Sequence, residues 1–282
     1  MNLDRKTNGT YDIQLLVRPN RKLSEGSFEH LASEVREVAA TCFDELPEYQ
    51  IIRGTRRSYD DKVVAVAWRA DGKMAGFCSC LLIQVPEVGE VLHLGLTCVR
   101  PEDRGAGLTH KLTRKAVAGT LLRRRPVGRL WVSNCAAVLS SLGNVAMHFH
   151  KVYPSPFTTT PPSEKHLKIA RLIDREYRDE IFIHTDAHFD ADDFVMRGSV
   201  AGTVFEKEEG DSRFHHRQNS LNEFYKGLMD FSNGDEVLQI GYASAFAAVR
   251  HVVGRKKSRH RKAVPGTRKV LRGKKRSHPI AL

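Results

Sequence analysis

The 282 residues suffice for one large domain or a core with additions, and 45 Lys and Arg against 33 Asp and Glu give a formal charge of +12. That excess belongs to residues 254–282, which hold 12 Lys and Arg and no acid, so the chain before them is near neutral and the basic balance is a property of a tail. No continuous apolar run is long enough to span a bilayer, residues 1–10 lack the apolar core of a secretory signal, and the five cysteines offer no second pair beside Cys78 and Cys80 for a zinc framework. They read as free thiols of a reducing compartment, which makes the expected location cytoplasmic, with nuclear or nucleoid localisation left open by the tail.

Along the chain, residues 11–17 alternate weakly and stop at Pro19, as a first strand does. Phe28, Leu31, Val35, Val38 and Cys42 recur at helical spacing, and Pro47 closes that amphipathic helix at 28–43. Residues 63–68 and 74–85 form two strands joined through Asp71-Gly72, a hairpin signal. An apolar run at 92–99 then meets a glycine turn, and a basic helix at 108–122 carries apolar positions at 108, 112, 116 or 117, and 121 or 122. A short strand at 129–133 and a helix at about 141–151 follow. After the loop at 158–163, the pattern predicts helices at 164–177 and 221–231 and strands at 181–184, 200–205 and 237–242. The charged break at 206–219 places His215 and His216 in a solvent-facing loop.

The glycine turn carries the most chemistry. Gly105 and Gly107 permit backbone angles that a Cβ resists and bring amides within reach of a ligand, while the unpaired N–H groups of the following helical turn face outward. Arg104 adds a donor fork, so the turn can seat a diphosphate. Neither the P-loop nor the three-glycine dinucleotide fingerprint is present. With its lead of Val99, Pro101 and Glu102, then Arg104, Gly107 and Thr109, the segment resembles the acetyl-CoA-binding motif of the GCN5-related N-acetyltransferase (GNAT) superfamily; Thr109 stands where that motif has a small residue. The order of strand, helix, hairpin, strand, cradle helix, strand and helix over residues 9–157 resembles the superfamily core.

The resemblance implies an α/β fold: a mixed, mostly antiparallel central sheet with a splayed strand pair, flanked by helices. It covers the core at 1–157; the pattern and charge beyond it predict a C-terminal elaboration at 158–253 that packs on the core and shapes the acceptor pocket, and a flexible basic tail at 254–282. It implies acetyl-CoA, or another acyl-CoA, as cosubstrate, no metal, and transfer to an amine without a covalent enzyme intermediate. Cys98, Val99, Arg104, Gly105, Ala106, Gly107, Leu108, Thr109, Asn144 and Phe149 are the expected donor-binding residues, the last two from a segment similar to the family's later Asn-x-x-Ala helix.

Acyl transfer needs a deprotonated amine, a polarised carbonyl and a proton for the leaving thiolate. Glu90 and His93 are the candidates for general base, the oxyanion donor is expected near Cys98 or Val99, and Tyr153 is the candidate general acid with His150 as its rival. Cys98 reads as a small buried hydrophobe rather than a nucleophile. His184, Asp186, His188, Asp190 and Asp192 would share one face if extended, although an acidic surface loop is the plainer reading. A longer-chain acyltransferase and a non-catalytic CoA-binding or nucleic-acid-associated regulator are the alternative functions; the tail suits weak, salt-dependent contact with nucleic acid or another polyanion. Aminoglycosides, polyamines, free amino acids and protein amino groups all remain open as acceptors.

Overall fold

The run Val63-Val64-Ala65-Val66-Ala67 is buried on both sides, as a strand covered by helices above and below must be. The structure is a computed structural model that describes residues 11–244; the tail at 254–282, and the polyanion contact expected of it, lie outside the described residues. In chain order the elements are β1 (Asp12–Val17), α1 (Glu25–Ala40), β2 (Lys62–Trp68), β3 (Met74–Val85), β4 (Gly89–Val99), α2 (Leu108–Arg124), β5 (Arg129–Ala136), α3 (Leu139–His148), β6 (His150–Tyr153), α4 (Glu164–Glu176), α5 (Arg178–Ile181), β7 (His188–Asp190), β8 (Val195–Arg197), α6 (Asn219–Lys226) and β9 (Glu236–Ser244). Among the described residues, no helix is long and apolar enough to cross a membrane.

The sheet runs β1-β2-β3-β4-β5-β9-β8-β7, with β6 also paired to β9. Among the described residues only β4 and β5 are parallel; the other pairs are antiparallel. One face packs under α2 through Leu108, Leu112, Ala116 and Leu121 against Cys78, Cys80, Leu92, Leu94 and Val132. The other face lies under α1, through Phe28, Leu31, Val35 and Val38 on Val64, Val66, Phe77 and Cys98, and farther along under α4, through Ile169 and Ile173 on Leu81, Ile83 and Leu238. These helical spacings supply the apolar stripe that the strands require. The expected mixed, mostly antiparallel sheet flanked by helices is what forms, and β9 shows that residues after 157 provide a strand of that sheet rather than only a layer upon it.

Several local expectations give way. Strand β4 starts at Gly89 rather than 92 because Glu90 is buried with Arg124 as its ion-pair partner. The helix expected through 151 ends at His148; Phe149 turns extended and β6 pairs with β9. Residues 181–184 are not a strand, since Phe182 takes a left-handed backbone at φ 62 and the Ile183 amide donates back to the Arg178 carbonyl. Turns replace the strand expected at 200–205, with Gly198 at φ 70 and Gly202 at φ 68. The helix expected at 221–231 is α6 alone, followed by a separate short turn of helix that Asp230 caps. His216 is buried rather than solvent-facing: its ring lies against Gly143 of α3 and its backbone exchanges two 2.8 Å bonds with the Asn222 side chain.

Candidate active site

Strands β4 and β5 pair only from Val91↔Trp131 to Leu94↔Asn134. Past that point β4 stays on β3 as far as Val99↔Gly76, while β5 stays on β9 as far as Ala136↔Val237. Each strand is thus held by its other neighbour as the two part, which makes a V with two rigid walls. On the β4 wall, Gly95 and Leu96 together face Ser79 of β3, a bulge that breaks the regular ladder just above the crotch. The bulge needs glycine: a Cβ at Gly95 would lie 2.7 Å from the Gln50 side chain and 2.8 Å from the Ser79 carbonyl oxygen. This puts the free strand edge at 95–99, with the bulge at its lower end and Cys98 and Val99 at its upper end.

The glycine turn sits at the top of this wall. Gly105 at φ +84 and Gly107 at φ +69 adopt the left-handed backbone, and a Cβ at either would meet open space. The first helical bond of α2 runs from the Lys111 amide to the Gly107 carbonyl, so the amides of Leu108, Thr109 and His110 precede it, and among the described residues no acceptor takes up those of Gly105, Ala106 or Gly107. Arg104 folds back with Nε 3.4 Å from the Val99 carbonyl oxygen, holding an exposed guanidinium at the mouth. Buried Asp103 fixes the approach, accepting from the Tyr11 hydroxyl at 2.8 Å and from Arg69 Nε at 3.0 Å. Ala106 and Phe149 both pack on the cluster beneath α2, and half-buried Asn144 lies on α3. Arg104, Gly105 and Gly107 fit a phosphate-bearing group in kind and in space.

The expected acid and base residues are placed elsewhere. Glu90 precedes the paired part of β4, at the closed end of the V, bonded to Gln84 and ion-paired to Arg124 at the far end of α2, about 24 Å of helix from the cradle. His93 lies one residue below the crotch, 1% exposed, its Nδ1 3.0 Å from Ser133 Oγ; burial, and then the charge of Lys62, push it down to about 3, so it is neutral and weakly basic. Tyr153 and His150 belong to β6, which is separated from β4 by β9 and β5, roughly 14 Å across three strand spacings. The Tyr153 hydroxyl donates to the Asp192 carbonyl at 2.9 Å, and exposed His150 pairs with Tyr242 at the level of the closed end. None of the four reaches the open part of the V.

A different carboxylate, that of Glu236, stands above the crotch. The residue opens β9 beside the end of β5, on the second wall. The carboxylate accepts from Ser199 Oγ at 2.6 Å and lies 3.7 Å from Cys135 Sγ, and burial pushes it up to about 6 against the pull of those donors and of Lys207. Buried Tyr49 is held by Gln50, whose Nε2 donates to the tyrosine oxygen at 2.9 Å and whose Oε1 accepts from Ser79 at 2.8 Å, a chain that ends at the bulge. Its phenol is raised well above its ordinary value, by burial first and then by the charge of Glu236. Phe182 and Phe205, from the segment between β6 and β9, pack edge-on against the Tyr49 ring at 5.8 and 5.5 Å, and Phe43 joins them.

Of the segment 184–192 His188–Asp190 is extended, so the alternating face that full extension would have made does not form. Arg197 instead gathers Asp190, Asp193 and Asp235 at 2.8, 3.4 and 2.9 Å, and among the described residues no group of side chains is arranged to hold a metal.

The strand order, the parallel pair that parts at Leu94 and Asn134 and the glycine cradle define a GNAT-like fold. No family model matches the chain, and no curated protein does. Solved structures similar to it include Escherichia coli ElaA (19% identity, 52% of this chain and 95% of that one, TM-score 0.35) and an acyl-CoA N-acyltransferase from Pseudomonas aeruginosa (22%, 51% and 91%, 0.34). A third is a ribosomal-protein-alanine N-acetyltransferase from Brucella melitensis (20%, 41% and 74%, 0.30).

Proposed function

We propose that the chain is an acyl-CoA-dependent N-acyltransferase that moves an acetyl group from acetyl-CoA to an amine by direct attack. The observation that carries this reading is the pairing, across one V, of a phosphate cradle and free strand edge on one wall with a carboxylate of near-neutral pKa on the other. The amides of residues 105–110 and the Arg104 guanidinium would hold the donor's diphosphate, and the edge at 95–99 its extended arm. When bound, the donor supplies an activated acyl carbon as a thioester.

The residues of the chain divide the remaining work. Glu236, with a pKa near 6, takes the proton from the incoming ammonium so that the neutral amine can attack, near neutral pH, where a base of that strength is both ionised and able to accept. The bulge at Gly95 and Leu96 offers a backbone N–H to the developing oxyanion, below the Cys98 and Val99 amides expected from sequence. Tyr49, protonated at neutral pH and oriented by Gln50, returns a proton to the leaving thiolate. No side chain needs to become acylated, because holding amine and thioester together supplies the proximity.

The test is thiol release from acetyl-CoA, followed with a thiol-reactive dye over a panel of aminoglycosides, polyamines, amino acids and peptides. Release that depends on the acceptor is expected. Absence of acyl-CoA binding would overturn the proposal, and binding without turnover across the panel would favour a regulator that uses the same cradle.

A further inference from the structure

From Arg104 to Ser163 the sequence has nine Lys or Arg and no Asp or Glu, although the chain before residue 254 is close to neutral as a whole. The fold places much of this charge on α2. Its apolar side, Leu108, Leu112, Ala116 and Leu121, is buried in the sheet, and the opposite side is exposed. On that side Lys111, Arg114 and Lys115 stand at neighbouring helical positions, with Arg125 just beyond the last turn. Among the described residues, none of these four side chains has a hydrogen bond or ion pair, whereas the neighbouring Arg124 is taken by Glu90. From Lys111 to Arg125 the row spans about 21 Å, running away from the glycine cradle toward the other end of the helix.

We propose that the outer face of α2 is a docking surface for the phosphate backbone of duplex nucleic acid. A rigid rod bearing cations that have no ion-pair partner among the described residues complements an equally rigid line of phosphates; at 3.4 Å per nucleotide along a strand, the row faces about six of them. Lys and Arg here would set affinity and orientation through phosphates, a contact that does not depend on base sequence. An anionic membrane is the other polyanion of this size. The face offers it only the isolated exposed side chains Leu122 and Val127, not the apolar stripe that a membrane-lying helix inserts. This surface lies on the opposite side of the sheet from Glu236 and Tyr49, so the inference stands independently of the acyl-transfer reading.

The experiment uses the full chain and a fluorescein-labelled 24-base-pair DNA duplex, with anisotropy followed over sodium chloride concentration. The wild type is expected to bind at low salt, with log K falling linearly against log salt. The variant R114Q/K115Q/R125Q should weaken binding by about tenfold or more at 0.1 M salt and reduce the slope by about 2.7, at roughly 0.9 for each phosphate no longer neutralised. Its thermal unfolding midpoint, unchanged from wild type, serves as the control for folding, since these side chains hold no ion pair or hydrogen bond within the described fold. Any contribution of residues 254–282 is common to both proteins and cancels in the difference of slopes. The proposal is overturned if the wild type does not bind, if the two slopes agree, or if the wild type binds phosphatidylserine vesicles in preference to the duplex and the variant loses that binding instead.

Discussion

Replacing Glu236 with glutamine should make the protein more stable and less active, with the gain in stability switched on by pH. The carboxyl is buried, and its pKa stands at about 6 in the folded chain against an ordinary 4.5, a difference worth about 2 kcal/mol. The sign follows from which state holds the proton more tightly. Below pH 4.5 both the folded and unfolded chains carry it and nothing is lost; between pH 4.5 and 6 the unfolded chain releases it first. Above pH 6 the folded state keeps an ionised carboxyl at a cost of the full 2 kcal/mol or so. Glutamine retains an acceptor oxygen for the 2.6 Å bond from Ser199 and has no charge to bury. Urea unfolding of E236Q and wild type should therefore give similar free energies at pH 4.5 and diverge to about 2 kcal/mol in favour of the variant at pH 8. Acyl transfer by the variant should fall by about 10²- to 10⁴-fold and lose the acid limb near pH 6. A stability difference that does not change with pH would refute the burial argument, and undiminished turnover would refute the assignment of the base.

Glu90→Gln should leave the pH profile and turnover unchanged while lowering stability by about 1 to 3 kcal/mol, because it breaks a largely buried pair with Arg124 far from the reacting end; denaturation and steady-state kinetics separate the two effects. Gly107→Asp places a negative charge and a strained left-handed backbone at the cradle, where a Cβ meets open space. Calorimetric titration with CoA should show at least about a tenfold weaker affinity, for a stability loss of only about 1 kcal/mol.

The cradle is readable in sequence because backbone chemistry there depends on residue type: Gly105 and Gly107 adopt the left-handed angles that only glycine takes without strain. The core helices and the hairpin are readable for a similar reason, since Phe28, Leu31, Val35 and Val38, or Leu108, Leu112 and Ala116, display their burial through spacing alone. Glu236 has no such signature. It stands one residue before the run expected at 237–242, and its chemistry arises from burial beside Ser199 and Cys135, which are distant in sequence. Tyr49 lies in an irregular connection after Pro47, where no period marks which side chain points inward. Nearness to the cradle along one strand points to Glu90 and His93 instead. Strand proximity does not say which end opens, and that is decided by where β5 stops pairing. The signal in the sequence that could have found Glu236 is a lone carboxylate at the threshold of an apolar strand.

The position of β9 has a bearing on how the protein is made. Cys135 and Glu236 touch across 101 residues of chain, and the strand that carries Glu236 is among the last described segments to be synthesised, yet it lies inside the sheet rather than at its border. A nascent chain that has released β1 through β5 already owns the glycine cradle and the bulged wall, but its β5 flank is an open strand edge seeking a partner. Long-range pairing of this kind is the slow part of folding, so the glycine cradle is complete, in assembly, before Glu236 reaches its place on the second wall. Until β9 docks, the growing polypeptide is exposed to edge-to-edge association, and a chaperone that shields β5 would protect the one step on which the second wall depends.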